Sequence, residues 1–130
     1  MKAFTDIEQS KKLAEILHLE SADMHYSKHS VEDYYSPVPL IGKYSEIQDE
    51  IPCWSLAALL NAFPDDYNIL FAKSSDKNTE SARWLCEASD GISVTFKFSW
   101  YDDNPFDVSH DSPIDACVSM IIGLHDAKKL

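Results

Sequence analysis

His25 and His29 stand four residues apart, with Asp23, Glu32 and Asp33 close by in the chain. On a helix the two imidazoles would share a face, and zinc takes nitrogen ligands of that kind. The Glu-x-x-His signature of a metalloprotease helix is missing. Two solvated histidines are the simpler reading. A second group of oxygen ligands lies in the acidic stretch of Asp102, Asp103, Asn104, Asp107, Asp111 and Asp115. Counted from Asp103, a calcium loop would need a glycine where Val108 stands, so that template fails. A solvated acidic turn leading into a helix N-terminus accounts for the stretch better. Cys53 is the third candidate. Near a helix start its thiol would be acidified by the dipole, and His110 or His125 could serve as its base. No local signature surrounds it, and Pro52 and Trp54 beside it look like packing residues. Three isolated glycines exclude phosphate-binding and dinucleotide fingerprints. The expectation is no catalytic residue, no metal ligand and no cofactor. The alternative kept open is a small hydrolase-type enzyme using Cys53 with a histidine, or a metal at His25 and His29.

Composition narrows the partners. The chain has 130 residues, 45% of them apolar and 12% aromatic, enough for one globular domain over 1–130 with a real core. The net charge of −11 disfavours direct contact with nucleic acid backbone or anionic membrane. A protein partner or a second copy of the chain remains. Three cysteines in apolar contexts, Cys53, Cys86 and Cys117, suit reduced thiols in the cytoplasm rather than a disulfide framework. The N-terminus is charged at once, which does not resemble a signal peptide, and no apolar run approaches a membrane span.

The elements that would position these groups follow from pattern. Thr5-Asp6-Ile7-Glu8 has the form of a capping box, which predicts a helix to about His18 with Leu13, Ile16 and Leu17 as its apolar stripe. Residues 20–50 are irregular and acidic, with a Ser36-Pro37-Val38-Pro39 stretch that favours an extended path. Its tyrosines pack on the domain or meet a partner. Ile51–Phe63 is the longest apolar run. With Pro52 at a first helical position and Pro64 beyond the end, it predicts a central buried helix carrying Leu56 and Leu60. Strands are predicted at Tyr67–Ala72, Ala82–Ser89 and Ile92–Trp100. Asp90-Gly91 would turn the last pair as a hairpin, and the last strand alternates perfectly. Ser112, Pro113 and Asp115 open a final helix to about Lys128, with Ile114, Cys117, Val118, Ile121, Leu124 and His125 buried. The fold class is α+β: two layers, a small antiparallel three-stranded meander sheet packed against about three helices.

Three segments carry a resemblance: Phe4-Thr5-Asp6-Ile7-Glu8-Gln9-Ser10-Lys11-Lys12-Leu13, Ile51-Pro52-Cys53-Trp54-Ser55-Leu56-Ala57-Ala58-Leu59-Leu60 and Ser112-Pro113-Ile114-Asp115-Ala116-Cys117-Val118-Ser119-Met120-Ile121. Together they resemble small uncharacterised proteins of Bacteroides-type gut bacteria, their prophages and mobile elements, over nearly the whole chain. That implies a genetic context and no mechanism. A strand pair followed by the last of these segments is also similar to the sheet-then-helix half of HicB-type antitoxins. The resulting expectation is an accessory protein acting through protein contacts. Its candidate partner surface is Tyr26, Tyr34, Tyr35, Tyr101, Asp102 and Asp103, or the exposed sheet face.

Overall fold

The computed structural model describes residues 2–27, 38–43, 50–75, 82–89, 95–96, 108–110, 112–128 and 130. Among them are three α-helices and two antiparallel sheets, an α+β protein. The chain divides into two compact units, 3–62 and 63–130, the latter taking in Met1–Lys2.

In the first unit, helix α1 covers Ile7–Ala14. Its capping box is one residue later than the sequence predicts. The Gln9 N–H donates to the Asp6 carboxylate at 2.8 Å, and the Asp6 N–H donates to the Gln9 side chain at 3.1 Å. Both frames satisfy the pattern; Thr5 is unavailable because it is wholly buried and its hydroxyl is used in the core. The helix stops at Ala14 rather than near His18, and a 3₁₀ turn at Leu19–Ser21 leads into the sheet. Strands β1 (Met24–Tyr26), β2 (Leu40–Ile41) and β3 (Ile51–Cys53) pair antiparallel in the order β2-β1-β3.

Strand β3 corrects the expected helix over Ile51–Phe63. The first three residues of that run pair with β1, His25 opposite Pro52 and Tyr26 opposite Ile51. Helix α2 is only Leu56–Ala62. Proline tolerates an edge strand as well as a first helical position, because neither use needs its missing N–H. Pairing of β-branched Ile51 with β1 decides between them. Ser55 then starts the helix, accepting the Ala58 N–H at 3.3 Å. Leu59 is buried in α2, whereas Leu60 is 38% exposed.

In the second unit, β4 (Asn68–Ser75) and β5 (Ala82–Ser89) pair along eight residues, close to the predicted pair. Cys86 and Ala88 are buried on one side of β5, as alternation requires. Only β6 (Thr95–Phe96) is described of the predicted strand Ile92–Trp100; the Asp90-Gly91 turn lies outside the described residues. A further strand, β7 (Val108–His110), lies in the stretch read as an acidic loop. It pairs with Trp84–Cys86, while β6 pairs with Ala88–Ser89 further along β5.

Helix α3 (Pro113–Asp126) packs on β5 and β7. Ser112 caps it as predicted: its hydroxyl accepts the Asp115 N–H at 3.1 Å and donates to the Asp115 carboxylate at 2.9 Å. Ile114, Cys117, Val118, Ile121 and Leu124 are buried as expected, joined by Ala116 and Met120. His125 is exposed instead, lying one residue past the face that Leu124 buries. Lys2 reaches Asp115 with an ion pair of 2.8 Å.

Candidate functional site

Thr5 sits at the centre of the 3–62 unit. Its N–H donates to the Trp54 carbonyl at 3.0 Å, and its hydroxyl accepts the Trp54 N–H at 3.1 Å. The same hydroxyl lies 2.8 Å from the Ser10 hydroxyl and 3.5 Å from Cys53 Sγ. The Thr5 carbonyl oxygen accepts the Tyr26 hydroxyl at 2.7 Å and the Cys53 thiol at 3.4 Å. A buried polar cluster with all these partners is a structural device, because each group unpaired would cost more than its bond returns.

This cluster decides two sequence candidates. Cys53 lies in strand β3, not at a helix start, and is 0% exposed. Burial pushes its thiol above the ordinary value, opposed in part by hydrogen bonds from Thr5, Ser10 and Tyr26. Among the described residues its hydrogen-bond partners include no histidine, and burial favours the thiol over the thiolate. Tyr26, a candidate for the partner surface, is 2% exposed, packs with Ile51 and Cys53, and is held protonated by burial. It is a core residue. The other candidate surface residues, Tyr34, Tyr35, Tyr101, Asp102 and Asp103, lie outside the described residues, as does His29.

His25 is placed elsewhere than a helical pair would put it. In β1, opposite Leu40 and Pro52, it projects to the side away from Tyr26. Its Nδ1 is 2.9 Å from the Gly42 carbonyl oxygen, which can only accept, so Nδ1 carries the hydrogen. Its Nε2 is 3.7 Å from Glu50 Oε1. Both side chains are largely buried, 14% and 8% exposed. Among the described residues no three His, Cys, Asp or Glu side chains are grouped to hold a metal ion. Neither Gly42 nor Glu50 could be found from the sequence as a partner of His25, because both contacts depend on strand pairing across long connections.

Among the described residues of this unit the most exposed large apolar side chains lie at β2 and its approach: Val38 at 60%, Leu40 at 55% and Ile41 at 89%. Strand β2 is an edge of the sheet, and among the described residues no strand pairs with its outer side. A shallow groove of about 320 Å³ is lined by Asp6, Ile7, Glu8 and Tyr26. Asp23 links the sheet to α2, its carboxylate accepting the Ser55 N–H at 2.9 Å and the Ser55 hydroxyl. No protein-family model, curated protein or solved structure matches this chain.

Proposed function

We propose that this chain is a small acidic interaction or accessory protein of phage or mobile-element type, working in the cytoplasm through contacts with another protein. The observation that carries the reading is the exposure of Leu40 and Ile41, one on each face of the edge strand β2, with Val38 exposed just before it. A soluble domain seldom leaves neighbouring aliphatic side chains in water at an edge without a use for them. The three thiols are free and buried, which suits a reducing compartment. Among the described residues no helix is long and apolar enough to cross a membrane. The charge of −11 supports a protein partner over nucleic acid. The resemblance to small proteins of Bacteroides-type prophages and mobile elements supports the genetic context.

Cross-linking in the native host, followed by affinity recovery, tests this reading. The wild-type chain is expected to retain a specific partner, or a second copy of itself, that Leu40→Asp with Ile41→Asp loses. Recovery of the same set by both proteins would place the contact elsewhere.

A further inference from the structure

We propose that strand β4 is an interface between two copies of this chain, each adding its β4 antiparallel to the other so that one sheet runs through both. The inference is independent of the β2 surface, since β4 belongs to the other unit. Strand β4 is eight residues long and ends its sheet, and among the described residues no strand pairs with its outer side. Its register with β5 sets Ile69 beside Ala88 and Phe71 beside Cys86. Ala88 and Cys86 are wholly buried, yet Ile69 and Phe71 stay half-buried on the same face. Leu70 belongs to the opposite face and is 60% exposed. Both faces of this edge carry apolar side chains that one more strand would cover.

The occupant follows from charge and register. With a net charge of −11 on each chain, two copies meet at least cost where charge is absent or complementary. Residues 67–72 carry no charge. The single charged position of β4 is Lys73, towards one end, whereas Asp65 and Asp66 precede the other end and are exposed. Antiparallel pairing brings the Lys73 end of each copy to the Asp65-Asp66 end of the other. Register is constrained further. Outward-facing backbone groups belong to alternate residues, so a strand that pairs with itself about a two-fold axis sets one residue opposite its own copy. With Leu70 on that axis, Leu70 meets Leu70, Ile69 meets Phe71 twice over, and Asn68 meets Ala72. The Ile69–Phe71 pairs are the β-branched and aromatic combination that stabilises antiparallel sheets. Lys73 then stands opposite Tyr67, next in the chain to Asp66.

Sedimentation equilibrium of the purified chain over a concentration series tests the interface. Wild type is expected to pass from the mass of one chain towards that of two. Leu70→Lys sets like charges across the axis and should weaken the dimer roughly tenfold, as should Leu70→Glu, while a mixture of the two should restore it. Leu70 is exposed in the single chain, so both variants should melt like wild type at low concentration. Leu40→Asp with Ile41→Asp, at the other edge, should leave the dimer intact. In wild type, alternate amides of residues 68–72 should gain hydrogen-exchange protection as concentration rises. A chain that stays monomeric to millimolar concentration would overturn the interface. So would a dimer that Leu70→Lys leaves unweakened, one that the β2 variant abolishes, or a mixture no tighter than either variant alone. The wild-type series decides even where a variant folds poorly. A copy held through β4 is retained by both proteins of the cross-linking experiment, so what differs between them reports β2 alone.

Discussion

The Tyr26 hydroxyl donates to the Thr5 carbonyl oxygen at 2.7 Å, inside the core of the 3–62 unit. Thr5 thereby joins strand β1 to the segment Cys53-Trp54 through its own backbone and side chain. Removing either end of this contact should be felt differently. Tyr26→Phe deletes one donor and should cost about 1 kcal/mol, whereas Thr5→Val strands the Trp54 N–H and the Ser10 hydroxyl and should cost roughly 1–3 kcal/mol. Urea unfolding of the two variants checks the order. A Thr5→Val protein as stable as wild type would remove the cluster from the account of this core.

Helix α2 predicts a sharp contrast between adjacent leucines. Leu59 is 0% exposed and Leu60 is 38% exposed. Leu59→Ala should cost about 2–5 kcal/mol, and Leu60→Ala well under half of that. Thermal or urea melts of both proteins measure the difference; equal losses would contradict the observed helix frame.

Thiol chemistry gives a third outcome. Cys53, Cys86 and Cys117 are all 0% exposed, and burial pushes the Cys86 thiol from 9.0 to about 12. All three should resist an aromatic disulfide reagent in the folded protein near neutral pH and react together on unfolding. One fast-reacting thiol in the native state would reopen the enzyme reading. The Cys86 shift also has a sign in stability. The fold favours its protonated form, so this contribution is complete below about pH 9 and is lost as pH rises towards 12. Alkaline unfolding of Cys86→Ala should be less steep over that range than that of wild type.

At the start of α3 two interactions on Asp115 should separate by size. Ser112→Ala removes the N-cap and should cost about 1 kcal/mol. Lys2→Met removes an ion pair whose two side chains are each 27% exposed, and should cost at most about 1 kcal/mol, declining with salt. Denaturation at low and high ionic strength distinguishes them; a salt-independent loss in Lys2→Met would assign Lys2 a packing role.

The legible parts of this chain were those decided by local chemistry. Ser112-Pro113 marks a helix start in any context, and five of the six residues predicted for the buried stripe of α3 are buried. The β4–β5 pair followed from alternation on both strands. Ile51-Pro52-Cys53 was misread because an apolar triplet with a proline fits a helix start and an edge strand equally. The choice is made by β1, whose residues lie far away in sequence. The same reason hid the site around His25. A histidine between Met24 and Tyr26 shows its type, but its partners are supplied by β2 and by the residue before β3. Thr5 was assigned a capping role for want of any sign that its hydroxyl would be claimed by Trp54.

The bonds from Thr5 to Cys53 and Trp54 span 48 and 49 residues of chain. They set an order on synthesis. Helix α1 can form as soon as its own residues emerge, yet the surface that receives Ile7 is completed only when β3 leaves the ribosome tunnel. Until then the nascent amino-terminal segment carries its apolar side chains without a seat. A ribosome-bound chain arrested before Trp54 has emerged should therefore be protease-sensitive throughout α1, and resistance should appear abruptly, rather than residue by residue, once Trp54 is free.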